Sequence, residues 1–188
     1  MKVVDTALAG VVEVRPVRHG DDRGWFSEVW RADVLAEAGV DVDFVQDNES
    51  FSAAVGTLRG IHYQVAPHPQ AKLVRVVDGS IVDVAVDLRR SSATFGRHVA
   101  VELTAAEGNQ LLVPAGFGHG FVTTSPDTRV AYKVSGRYAP ECERAVRWDD
   151  PELGIDWPID GPDPVLSTKD AAAPLLADQP DLFDEETP

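Results

Sequence analysis

The chain has 188 residues, with 31 acidic and 17 basic side chains and a formal net charge of −14, a balance that excludes the clustered positive face that nucleic acid demands. Its one cysteine, Cys142, rules out an intrachain disulfide and a cysteine-based metal cluster, and flanking Glu141 and Glu143 disfavour its thiolate. No apolar run reaches the length of a membrane span, and the opening MKVVDTALAGVVEV lacks the pattern of a secretory leader; the expectation is a soluble cytoplasmic protein with no membrane partner.

In chain order, VVEVRPV (11–17) and GWFSEVW (24–30) read as strands. RADVLAEAG (31–39) is the one helical stretch, with Gly39 placed to stop it. DFVQDNESF (43–51) and GTLRGIHYQ (56–64) return to strand character. KLVRVVDGSIVDVAVDL (72–88) is two alternating runs joined at Asp78-Gly79, which reads as a tight hairpin. HVAVEL (98–103), NQLLVP (109–114), GFVTTS (120–125) and RVAYKVSGRY (129–138) continue the series. Roughly ten short strands with one helix predict an all-β, antiparallel sandwich or jelly roll. The segment 147–170 is rich in Pro, Gly and Asp but keeps Trp148, Leu153, Ile155 and Trp157 as anchors. Beyond Asp170 the chain carries five acids and no base, so the expectation is one domain over 1–188 with an acidic tail from about 171 that is loosely held or forms a short terminal helix.

GTLRGIHYQ holds an arginine and a histidine three positions apart. On a regular strand Arg59 and His62 point to opposite faces. A bulge at Gly60 turns both toward one cavity. His62 carries an imidazole, which suits proton transfer; Lys72, at the start of the next strand, can steady a developing oxyanion or simply snorkel at an edge. His119 sits in VPAGFGHGF, where glycines and a proline aim its ring. Asp83, on the strand face opposite Val82, Val84 and Val86, either orients His119 or faces solvent. Tyr132 is either a core tyrosine or a phenolic proton donor, and Asp170 can cap a helix or back a histidine. Arg23, Phe26 and Glu28, with Gln46 and Asn48, mix cation, ring, carboxylate and amide in the way a nucleotide requires.

Taken in order, DDRGWFSEVW, FVQDNES, VGTLRGIHYQ, QAKLVRVVDGSIVDVAVDLRRSSATFG, LLVPAGFGHGF, YKVSGRYAPECERAVRWDDPELGIDWP and LSTKD resemble the dTDP-4-dehydrorhamnose 3,5-epimerase family, a branch of the cupins. The resemblance implies a cupin jelly roll with a few short helices. It implies a cofactor-free and metal-free isomerase that inverts C3 and/or C5 of a dTDP-linked 4-keto-6-deoxy sugar through an enolate. The setting is deoxysugar biosynthesis, for rhamnose or for antibiotic sugars. Carried onto this chain, His62 resembles the general base, Asp170 its carboxylate, Lys72 the enolate-stabilising cation and Tyr132 the acid on the opposite face. Arg59 and Arg23 resemble diphosphate contacts, Phe26, Glu28, Gln46, Asn48 and Tyr138 the nucleotide set, and His119 a sugar-site residue. The family's homodimer exchanges N-terminal strands, so Arg23, Phe26 and Glu28 are expected in the neighbour's cavity. Three rivals stay open: a metal-dependent cupin, a non-catalytic sugar-nucleotide binder and a sugar-nucleotide ketoisomerase. HYQ offers one histidine where the first expects a His-x-His pair and the last two neighbouring histidines.

Overall fold

The structure, a computed structural model, describes residues 1–161 and 163–184. Its elements are β1 (Lys2–Asp5), β2 (Val12–Arg15), β3 (Arg18–Asp21), β4 (Gly24–Ser27), α1 (Ala32–Glu37), β5 (Gln46–Ser52), β6 (Leu58–Gln64), β7 (Lys72–Asp78), β8 (Ser80–Asp87), β9 (His98–Thr104), β10 (Gln110–Val113), β11 (Phe117–Thr123), β12 (Thr128–Val134), β13 (Glu143–Ala145) and α2 (Thr168–Ala171). A six-stranded sheet, β1-β2-β10-β7-β12-β5, faces a five-stranded sheet, β13-β6-β11-β8-β9, while β3 and β4 pair apart from both. All neighbours run antiparallel, as in a jelly roll of the cupin type. Among the described residues no helix is long and apolar enough to cross a membrane.

The period-2 patterns explain the layers. On β8, Ile81 and Ala85 point between the sheets and pack with Val74, Val76, Leu111, Phe121 and Val130. Val84 and Val86 point the other way, yet they too are buried, against Leu153, Trp157, Leu176 and Phe183. The C-terminal chain is therefore a cover over the outer face of the five-stranded sheet. On the other side Leu35 of α1 and Val40 cover Leu73, Leu112, Val12 and Val14 on the outer face of the six-stranded sheet. The helix stops where Gly39 donates to the Ala36 carbonyl, as its sequence requires.

Two expectations are corrected. The run 72–88 is not a hairpin: β7 pairs with β10 and β12, whereas β8 pairs with β11 and β9. Asp78-Gly79 is a corner between sheets. Gly79 has φ +82°, and a Cβ there would lie 2.5 Å from the Ser125 and Thr128 hydroxyl oxygens. A left-handed glycine serves either turn, and alternation in both runs fits either pairing, so the local signal does not choose between them.

The second correction concerns the C-terminal segment. From 171 onward it is packed rather than loose over the described residues: Ala173, Leu176 and Phe183 are buried. Arg90 N–H donates to the Phe183 carbonyl and the Tyr63 hydroxyl to that of Asp181. Asp178 and Asp184 face solvent and Asp181 pairs with Arg144 at 2.8 Å, while the few apolar residues carry the docking, and acidity alone hides that pattern. Residues 185–188, part of the same expectation, lie outside the described residues.

Candidate active site

The site is built on an irregularity in β6. Opposite β11, His62 faces His119 and Arg59 faces Phe121, so Gly60 and Ile61 together oppose Gly120 alone. This is the bulge that the sequence calls for. Gly60 has φ +125°, and a Cβ there would strike the Gly120 backbone and lie 2.8 Å from the His119 carbonyl oxygen; only glycine fits. Ile61 turns outward into the cover, fully buried. Arg59 and His62 consequently line one cavity of about 320 Å³, together with Lys72, His119, Phe121, Tyr132, Tyr138, Glu143, Ser167, Lys169 and Asp170.

His62 and Asp170 meet from opposite ends of the chain, with Nε2 2.5 Å from Oδ1. Asp170 is buried and His62 partly exposed. Burial pushes the Asp170 carboxyl up, but hydrogen bonds from His62 and Ser167 and the charge on His62 outweigh it and hold it below its ordinary value. An ionised Asp170 keeps the proton on Nε2 and leaves the lone pair on the other ring nitrogen. An imidazole with a carboxylate behind it can act as a general base.

Lys72 opens β7 on the facing sheet, and its Nζ donates to the His62 carbonyl at 3.3 Å. Burial lowers its ammonium to about 8, against the opposing pull of the Asp83 and Glu143 charges. Tyr132 stands on β12, also across the cavity from His62. Burial raises its phenol, with Arg59 pulling the other way, so the hydroxyl holds its proton at neutral pH. His62 and Tyr132 thus project from opposing sheets.

Asp83 is fully buried and faces the interior; its Oδ1 lies 2.7 Å from His119 Nε2, while Oδ2 has no hydrogen-bond partner among the described residues. Burial lowers the His119 imidazole, partly offset by Asp83. Arg59 is held ready by donating Nε to Ser52 Oγ at 3.2 Å and Nη2 to the Phe51 carbonyl at 2.9 Å. Gln46 donates to Asn48 at 2.7 Å. Both line a smaller space of about 160 Å³ that shares His62, Lys72, Tyr132, Tyr138 and Glu143 with the main cavity.

Three expected residues do not join the cavity of their own chain. Arg23 and Phe26 ride the separate β3–β4 hairpin, Phe26 being 67% exposed and Arg23 paired with Asp21 at 2.6 Å. Glu28 stands just beyond it, 3.7 Å from Arg31. Conversely, sequence reasoning passed over Glu143, Lys169 and Ser167. Glu143 Oε2 accepts from the Tyr138 hydroxyl at 2.6 Å and lies 2.5 Å from Lys169 Nζ. Glu143 was noted only as a neighbour of Cys142, and Ser167 and Lys169 stand inside the LSTKD motif next to Asp170. Among the described residues no group of three His, Cys, Asp or Glu side chains could hold a metal ion.

Comparison with known proteins gives a consistent set of likenesses. The family model described as dTDP-4-dehydrorhamnose 3,5-epimerase matches residues 5–178. A Sinorhizobium fredii protein of that name is 48% identical over 177 residues, covering 94% of this chain and 90% of its own. The crystal structure of the Legionella pneumophila dTDP-6-deoxy-D-glucose-3,5-epimerase in complex with dTDP-4-keto-L-rhamnose superposes with a TM-score of 0.93 at 41% identity, covering 99% of each chain. A 3'-monoepimerase from Streptomyces bikiniensis in complex with dTDP-quinovose gives a TM-score of 0.85 at 39% identity, over 92% of this chain and 86% of that one.

Proposed function

This chain belongs to the dTDP-4-dehydrorhamnose 3,5-epimerase family and is an isomerase of deoxysugar biosynthesis, and from that premise we propose how its cavity performs the inversion. The substrate is a dTDP-linked 4-keto-6-deoxyhexose. The carrying observation is the His62–Asp170 pair at 2.5 Å, facing Lys72 and Tyr132 across one cavity. A proton α to a ketone is weakly acidic, so its removal needs a positioned base and a stabilised oxyanion. His62 takes the proton, and Asp170 stabilises the imidazolium. The electron pair moves into the enolate, whose O4 is neutralised by the Lys72 ammonium. Tyr132 then delivers its phenolic proton from the other wall, and the configuration at that carbon is inverted. The same sequence, applied at C3, at C5 or at both, gives the family's products.

Arg59 holds the diphosphate beside the base, with Gln46, Asn48 and Tyr138 toward the nucleoside and His119 beside the sugar. The exposed β3–β4 hairpin supports a homodimer with exchanged N-terminal strands, in which Arg23, Phe26 and Glu28 complete the cavity of the second copy. One domain does all of this, with the working compartment placed in the cytoplasm on the strength of the acidic charge and the single cysteine.

The test is incubation with the dTDP-linked 4-keto-6-deoxyglucose in D₂O, followed by NMR. Deuterium at C3 or C5 together with inversion is the expected result. A moved carbonyl would instead mean ketoisomerase chemistry, and tight binding with neither exchange nor inversion would mean a binding protein.

A further inference from the structure

Asp170 uses one carboxylate oxygen for His62, and the other accepts a hydrogen bond from Ser167 Oγ at 2.8 Å. The same Oγ accepts the Asp170 backbone N–H at 3.1 Å, as the N-cap of α2. Ser167 is itself exposed, yet its hydroxyl turns toward the buried Asp170 carboxylate. The arrangement is a chain of three: hydroxyl, carboxylate, imidazole. We propose that Ser167 is a positioning residue that sets the proton affinity of the His62–Asp170 pair, by holding the Asp170 carboxylate in the rotamer that reaches His62 and by stabilising its charge. This rests on the assignment of that pair as the base.

The physical reason is a competition for the carboxylate's lone pairs. A donor on Oδ2 stabilises the ionised form and weakens its hold on the shared proton. With Ser167 in place the pair gives up its proton at lower pH and stands ready as a base near neutrality. Without it the carboxylate is a stronger acceptor, the imidazolium is held longer, and the free base forms only at higher pH. The other charged or titratable groups facing the pair are Lys72 on β7, Glu143 on β13, Lys169 on α2, Arg59 on β6, Tyr132 on β12 and His119 on β11, the last backed by Asp83. None of them hydrogen-bonds Ser167, and a Ser167→Thr or Ser167→Asp change keeps the cap of the helix that carries Lys169.

The experiment is the pH dependence of kcat/KM and of the C–H exchange rate in D₂O for Ser167→Ala, Ser167→Thr and Ser167→Asp, beside Asp170→Asn. Ser167→Ala is expected to move the acid limb up by about half a pH unit or more and to lower kcat about tenfold with KM little changed. Ser167→Thr keeps a hydroxyl and should restore both. Ser167→Asp caps the helix as well as serine does, so folding is preserved, but it cannot donate and adds a like charge; its acid limb should rise at least as far as that of Ser167→Ala. Acid limbs of the Ala and Asp variants that coincide with wild type overturn the proposal, as does failure of threonine to restore the profile at an unchanged melting temperature. If Asp170→Asn exchanges at the normal rate, the assignment of the base itself is wrong. If it is slow while the Ser167 series is flat, only the role of Ser167 fails.

Discussion

His62 and His119 are partners across one antiparallel ladder, and each presents Nε2 to its own carboxylate, Asp170 at 2.5 Å and Asp83 at 2.7 Å. The two dyads differ in burial: the His62 side chain is 28% exposed and that of His119 only 8%. Exposure leaves His62 open to the cavity, whereas burial biases His119 toward the neutral form. The fold thus sets a partly exposed dyad beside a buried one, made from the same two residue types.

His62→Ala should abolish deuterium incorporation at every invertible carbon, because enolate formation itself needs the base. Asp170→Asn should retain dTDP binding and slow exchange by about 10²–10⁴-fold, through the wrong tautomer and an unstabilised imidazolium. Near-normal exchange in His62→Ala, read by NMR, would transfer the role to His119.

Tyr132→Phe keeps the ring and its packing but deletes the acidic proton. The variant should still wash deuterium into the substrate, with His62 returning a deuteron to the original face, while yielding little inverted sugar. Equal loss of exchange and inversion would show that the phenol acts before proton return.

The alkaline side of the pH profile should report Lys72. Burial lowers its ammonium to about 8, so the charged, oxyanion-stabilising form dominates below that pH and is lost as pH rises through it. kcat/KM should therefore fall above about 8, and kcat at a higher pH, since a bound dianionic diphosphate favours the ammonium. Asp83→Asn removes a charge that supports the ammonium and should shift the kcat/KM limb downward. A limb that stays put in Asp83→Asn, or that lies near the ordinary lysine value in wild type, contradicts the assignment.

Mixing inactive variants tests the exchanged hairpin. If Arg23 serves the second copy's cavity, Arg23→Ala and His62→Ala subunits form heterodimers with one site carrying both lesions and one intact. Random reassortment then restores activity in about a quarter of the sites. No recovery after mixing, with subunit exchange verified by mass spectrometry, would confine Arg23 to its own subunit or to no site.

Gly60→Ala should lower stability by about 2–4 kcal/mol, since the Cβ meets the Gly120 backbone and the positive φ disfavours any side chain. Chemical denaturation measures this. A loss below about 0.5 kcal/mol, the range of neutral surface changes, would mean that the two strands can part without cost.

The sequence carries more of the site than of its wiring. The bulge was legible because one glycine separates two polar residues that regular alternation would send to opposite walls. Asp83 was legible as the odd member of a valine strand, and the structure decides between cavity and solvent because the valine face is itself covered. The corner at Asp78-Gly79 was not legible, since pairing partners are chosen by distant strands while the turn residues satisfy both outcomes. Glu143 and Ser167 escaped notice for another reason. Each acts through a neighbour, Tyr138 or Asp170, and only contact reveals such roles.

The cover over the five-stranded sheet also imposes a timetable. His62 and Asp170 are separated by 108 positions, and the second is carried by the segment that covers the outer face. During synthesis the ribosome therefore releases the imidazole well before the carboxylate that pairs with it. Cleavage ahead of Asp170 would remove that carboxylate together with Leu176 and Phe183, which bury Val84 and Val86 on the same outer face, so the dyad and the cover are lost in one cut.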